Sequence, residues 1–194
     1  MGLIELKDIE TRLGSFTLRV GSLSLDRGQL VAVLGNNGSG KSTFLSVLAG
    51  LRPFRGTYKL MGKDFKRLDT TERHRLVCLL PQSVTLQMPL DVFYVVLTGR
   101  FPWTEGRAYS DEDIALTEKS LREFDVYHLK DRRFNELSGG ERQRVLLART
   151  FVRGSEAVLL DEPFTALDLR HQWETMGFLR KHARDRLIIV VLHD

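Results

Sequence analysis

Nine consecutive residues, Gly35-Asn36-Asn37-Gly38-Ser39-Gly40-Lys41-Ser42-Thr43, restrict the folds open to this chain more than any other stretch. The apolar run Leu30-Val31-Ala32-Val33-Leu34 before them suits a buried strand, and residues 44–49 after them read as helix that stops at Gly50. The spacing of Gly35 and Gly40-Lys41-Ser42 fits a phosphate-binding loop. Glycines let successive N–H groups turn inward on an oxyanion, and the new helix brings its positive dipole end to the same charge. Lys41 then reaches terminal phosphates, and the Ser42 hydroxyl takes a place on Mg²⁺. A plain glycine-rich turn is the alternative, and the strand and helix on either side weigh against it.

The remaining elements are read from periodicity. In residues 2–27 apolar side chains come in short groups: Leu3, Ile4 and Leu6, then Phe16, Leu18 and Val20, then Leu23 and Leu25. The turn signals Leu13-Gly14-Ser15 and Asp26-Arg27-Gly28 divide them, so short, mainly antiparallel strands forming a side lobe are expected. Thr57-Tyr58-Lys59-Leu60 reads as a strand ending at Gly62, and residues 63–73 as a polar connection. Arg75-Leu76-Val77-Cys78-Leu79-Leu80 reads as a buried strand stopped by Pro81, which leaves Gln82 at a strand end. In an open α/β sheet that edge is where ligands bind. Residues 90–99 predict an apolar helix, and Ser110 with Asp113 three residues on caps a second, with Ile114, Leu121 and Phe124 near one face. Phe101-Pro102-Trp103 is expected to break the two apart.

At 194 residues and 42% apolar content, the chain can bury one sizeable core and a smaller lobe. Its 29 basic and 25 acidic residues leave +4 spread along the sequence, so nothing demands a nucleic-acid partner. Cys78 is alone and reads as a small buried side chain in a reducing compartment. The longest apolar runs, 92–97 and 187–192, fall far short of the roughly 20 residues of a membrane span. With no leader at the N-terminus, the chain is expected not to insert itself in a membrane.

Three further stretches carry chemistry. Leu137-Ser138-Gly139-Gly140-Glu141-Arg142-Gln143 holds a capping box, Ser138 with Glu141, that opens a helix to about residue 153. The two glycines leave the helix's first N–H groups unscreened, so a second anion site is chemically sensible beside the plainer reading of a well-capped helix. Ala157-Val158-Leu159-Leu160 has strand length and ends in Asp161-Glu162, two acids that are costly at the exit of a buried strand unless cations or donors meet them. In a phosphate enzyme Asp161 can hold Mg²⁺ and Glu162 can polarise the attacking water. Thr165-Ala166-Leu167-Asp168 leads into a helix to about residue 184, residues 187–192 form a last buried strand, and His193 at its end is a candidate ligand of a terminal phosphate.

In this order the motifs resemble those of the ATPase subunit of ABC transporters, over nearly the whole chain. The fold this implies is α/β, a phosphate-loop NTPase of ABC type. Its core sheet is mainly parallel (about 30–82 and 154–194), with an antiparallel β lobe at about 1–29 and an inserted helical subdomain at about 83–153. Within the family, residues 92–97 followed by Thr98-Gly99-Arg100-Phe101-Pro102 look like importers of siderophores, haem and vitamin B12. The resemblance implies ATP and Mg²⁺ as ligands. Gly35 to Thr43 and Asp168 would take the nucleotide; Ser42, Gln82 and Asp161 the metal; Glu162, Gln82 and His193 the chemistry. Two copies would pair head to tail, with Ser138, Gly139 and Gly140 of one closing over the other's nucleotide. It further implies a transmembrane permease subunit, a substrate-binding protein acting indirectly, and a peripheral place on the cytoplasmic side of the cell membrane. A soluble ABC-type ATPase acting on ribosomes or nucleic acid is the alternative. Family members usually carry an aromatic residue ahead of the loop to stack on adenine; here Leu13 stands there, with Phe16 close by. Because the family usually continues well past its histidine, the chain is expected to be truncated.

Overall fold

A computed structural model describes residues 2–84 and 88–192. The chain opens with a hairpin of two ten-residue strands, β1 (Ile4–Leu13) and β2 (Phe16–Leu25), with Leu13 opposite Phe16 across the Gly14 turn. These are longer than the short strands expected. The polar residues between the apolar groups, such as Lys7, Arg19 and Ser22, keep the ladder going and are not breaks in it. On its other edge β1 pairs with β4 (Arg55–Leu60), and the register shifts between Lys7 and Glu10. There Gly56 passes so close to β1 that a Cβ would lie 2.2 Å from the Asp8 carbonyl oxygen, so only glycine fits. With β5 (Lys63–Asp64) the antiparallel order is β2-β1-β4-β5, so this sheet extends beyond the first 29 residues.

The second sheet is parallel. Its strands are β3 (Leu30–Val33), β6 (Val77–Leu80), β7 (Ala157–Asp161) and β8 (Leu187–Val191), in the order β3-β8-β7-β6. All of β7 and β8 is buried, and successive side chains go to opposite faces. Leu159, Leu187, Ile189 and Val191 pack toward the antiparallel sheet with Leu45, Leu48, Tyr58 and Phe65. Val158, Leu160, Ile188 and Val190 pack toward the helices with Val95, Phe124, Leu147 and Phe151. One central sheet therefore divides two cores. Cys78 is buried in the second of them, its thiol pushed up by burial, as expected of a structural cysteine.

Six α-helices complete the described residues: α1 (Lys41–Leu48), α2 (Thr70–Leu76), α3 (Val92–Leu97), α4 (Asp111–Glu123), α5 (Gly139–Phe151) and α6 (Leu169–His182). Helix α2 replaces part of the polar connection and shortens the strand expected from Arg75. It buries no residue and is set up by its Asp69 cap, which accepts from the Glu72 amide at 2.7 Å, so it carries no apolar stripe to read. Phe101-Pro102-Trp103 belongs to a 3-10 helix, Thr98–Trp103, that continues from α3. Both capping boxes form: Ser110 with Asp113 and Ser138 with Glu141. On α4 Leu121 is buried, but Ile114 is 41% exposed, and the buried face is mostly polar: Asp113, Thr117 and Ser120. Among the described residues no helix is long and apolar enough to cross a membrane.

Candidate functional site

The glycine loop joins β3 to α1 at the carboxyl edge of the parallel sheet. Gly40, the residue before α1, has φ 96°, which favours glycine, and a Cβ on it would lie 2.7 Å from the Phe16 ring and have to displace it. No side chain caps α1 and no acid stands in its first turn, which leaves the helix's positive end to an incoming anion. Lys41 Nζ donates to the carbonyl oxygens of Gly35 and Asn36, which keeps the ammonium on the loop. A cleft of about 480 Å³ opens here, lined by residues 36–43 together with Leu13, Phe16, Gln82 and Glu162. Leu13 and Phe16 thus both stand on its wall, and Phe16 is the aromatic one.

Two acids and an amide meet at the same edge. Asp161 closes β7 and is 5% exposed, with Oδ1 lacking a hydrogen-bond partner. Burial pushes its carboxyl above the usual range; the Ser42 hydroxyl opposes this, the Glu162 carboxylate adds to it, and Lys41 opposes it. Glu162 turns the chain away from the sheet at φ 51°, a left-handed conformation unusual for a non-glycine residue. Its N–H donates to Val191 O at 3.2 Å, and its carbonyl accepts from the Thr165 amide at 3.4 Å and hydroxyl at 3.1 Å. Across the cleft mouth Gln82 Nε2 donates to Glu162 Oε2 at 2.9 Å. Residues 80 apart in sequence are thereby joined.

The other expected residues stand elsewhere. Ser138 and Gly139 are exposed at the start of α5 and do not line this cleft. A Cβ on Gly140 would lie 3.2 Å from the Ala166 carbonyl oxygen, so this glycine also admits the turn that follows Glu162. Asp168 caps α6: its carboxylate accepts from the His171 amide at 2.9 Å, and its two oxygens lie 2.8 and 2.9 Å from His171 Nδ1. The backbone and side chain of His171 hold that carboxyl below its usual range, and Asp168 is not part of the cleft wall. His193 lies outside the described residues.

Two further glutamines, to which the sequence assigns no role, reach the turn after Glu162. Gln143 Nε2 donates to Pro163 O at 2.9 Å, and Gln172 Nε2 donates to Phe164 O at 3.3 Å and Leu167 O at 3.0 Å. Gln143 was in view as the last residue of the glycine-bearing motif. Nothing in the local pattern pairs it with Pro163, 20 residues away.

The model of the ABC transporter family matches residues 18–165. The chain is 39% identical to a hemin import ATP-binding protein of Gloeobacter violaceus, covering 99% of this chain and 73% of that protein. It is 41% identical to one of Pseudomonas fluorescens (89% and 69%) and 39% identical to an achromobactin transport ATP-binding protein of Dickeya dadantii (89% and 65%). Among solved structures, one described as an inward-facing conformation of a metal-chelate type ABC transporter superposes with TM-score 0.80 at 27% identity, covering 99% of this chain and 72% of that one. A nucleotide-free ATP-binding cassette from an ABC transporter superposes at 0.84 with 20% identity, covering 100% and 82%, and speaks for the fold alone.

Proposed function

This chain belongs to the ABC transporter family and is an ATPase of it, and from that premise we propose that it powers import of an iron chelate, haem or cobalamin-like molecule through a separate membrane subunit. The names of its relatives support the substrate class, since they concern hemin and, in another, a siderophore transport system. They also weigh against the reading as a soluble ATPase of ribosomes or nucleic acid. The observation that carries the chemical part is the Gln82–Glu162 hydrogen bond at the mouth of a glycine-loop cleft.

In this reading the loop amides, Lys41 and the α1 dipole take the triphosphate of ATP, and Phe16 offers its ring to the base. Ser42, Gln82 and Asp161 would hold Mg²⁺, which when bound neutralises charge on the phosphoryl oxygens. The unpartnered, buried Oδ1 of Asp161 fits that cation. Glu162 orients the attacking water and accepts its proton, and Gln82 steers the Glu162 carboxylate. The exposed Ser138 and Gly139, which do not line their own cleft, suit a head-to-tail pair in which each copy covers the other's ATP. The helical part, about 83–153, would meet the membrane subunit, placing the protein peripherally on the cytoplasmic face, with a substrate-binding protein acting indirectly.

Glu162→Gln is expected to cut steady-state hydrolysis by about 100-fold or more while ATP affinity stays within about twofold. Retained turnover would overturn the role given to Glu162. The transport part is tested by reconstituting the chain with its membrane subunit in vesicles and measuring ATP-dependent uptake of haem and of a ferric chelate. Uptake of neither would sink it.

A further inference from the structure

Three glutamine carboxamides converge on the segment that starts at Glu162: Gln82 on its carboxylate, Gln143 on the Pro163 carbonyl, and Gln172 on the carbonyls of Phe164 and Leu167. Gln82 stands just past β6 and Gln172 on α6, whereas Gln143 comes from α5, the helix whose first residues carry the exposed Ser138 and Gly139. We propose that Gln143 is a positioning residue that makes the aim of the Glu162 carboxylate depend on where the start of α5 sits. The proposal rests on the reading above, in which Glu162 activates water and the start of α5 meets a second copy's nucleotide.

Glu162 holds a left-handed φ of 51°, a conformation that persists only when its neighbours impose it. The peptide groups on either side decide whether it is kept: Val191 and Thr165 hold the Glu162 amide and carbonyl, and Gln143 holds the carbonyl one residue on. Pro163 passes that constraint along, because its ring fixes its own φ and leaves little slack between its carbonyl and Glu162. Finally, α5 and the turn touch: a Cβ on Gly140 would lie 3.2 Å from Ala166 O, with Gln143 three residues further along the same helix. A shift of the helix start therefore moves the turn with it. A displacement of a reacting group by about 1 Å can cost about 100-fold in rate, so a small movement of the turn matters.

The test uses single-turnover ATP hydrolysis, with ATP binding measured separately, for the intact chain. Gln143→Leu removes the donor at similar volume, Gln143→Glu replaces it with an acceptor, and Gln143→Lys restores a flexible donor. Gln143→Leu is expected to lower the rate about tenfold with ATP affinity within about twofold, Gln143→Glu to lower it further, and Gln143→Lys to recover most of the loss. In a Glu162→Gln background, Gln143→Leu should change the residual rate by less than about twofold, since it acts through Glu162. An undiminished rate in Gln143→Leu, or the same tenfold loss in the Glu162→Gln background, overturns the proposal. Should the leucine variant not fold, the contrast between Gln143→Glu and Gln143→Lys decides in the same way. If Glu162→Gln itself keeps full turnover, the parent reading falls and takes this one with it; if only the Gln143 variants are silent, the parent reading stands.

Discussion

Asp161 is nearly enclosed, has an oxygen without a partner, and is held above the usual carboxyl range by burial. Its folded value is raised above the unfolded one, near 3.9. Stability is therefore fully present below the unfolded value and declines as pH rises toward the folded one; the cost of the buried charge persists above that. Asp161→Asn should remove this cost: the nucleotide-free protein is expected to melt about 2–4 °C higher at neutral pH, the gain shrinking in acid. The same variant should lose ATP turnover. Scanning calorimetry across pH, set beside a hydrolysis assay, checks both, and a lowered Tm would contradict the account. The acids themselves were legible in sequence as a strand ending in two carboxylates. The left-handed Glu162 and its bond to Gln82 were not, because both depend on which strand lies next to β7.

Helix α4 shows where periodicity reads well and where it misleads. Its cap was legible because Ser110 and Asp113 satisfy each other within one turn. Its buried face was legible only in part: Leu121 and Phe124 are buried as the apolar pattern has them, but so are Asp113, Thr117 and Ser120, which find partners inside: Ser120 Oγ donates to Ala148 O at 2.9 Å, and Asp113 meets Arg100 at 2.7 Å. An apolar pattern overlooks polar residues that are satisfied by a neighbouring helix. Desolvation works to raise the Asp113 carboxyl, but the Ser110 amide and hydroxyl and the Arg100 guanidinium together hold it below its usual range. Its contribution is present above the unfolded value and is lost as pH falls through the folded one. Asp113→Asn, which strands the buried Arg100 charge, should cost about 3 kcal/mol in denaturant unfolding near pH 7. Ile114→Glu, one residue away on the exposed side, should stay within about 0.5 kcal/mol. Equal costs would mean that the α4 face is wrongly assigned.

Across the whole molecule, the parallel sheet brings the glycine loop, Gln82 and the two acids to one edge, while Ser138 and Gly139 at the start of α5 are exposed and do not line the cleft formed there. That separation is what makes pairing of two copies sensible. With Glu162→Gln to prevent turnover, ATP should convert the protein from monomer to dimer in sedimentation velocity. Ser138→Phe should block that conversion and leave nucleotide binding to the cleft intact. A monomer at saturating ATP would exclude the head-to-tail pair for the chain on its own.

The loop, the strand runs, the two capping boxes and the paired acids were determined by the sequence alone, because each is encoded within a few neighbouring residues by backbone sterics, local hydrogen bonds or apolar alternation. The tertiary structure alone decided that Gln82 bonds Glu162, that Gln143 bonds Pro163, and that Asp113, Thr117 and Ser120 join Leu121 on the buried side of α4. These contacts join residues separated by as many as 80 positions, and they follow from the strand order β3-β8-β7-β6 and the packing of α5, neither of which any local pattern specifies.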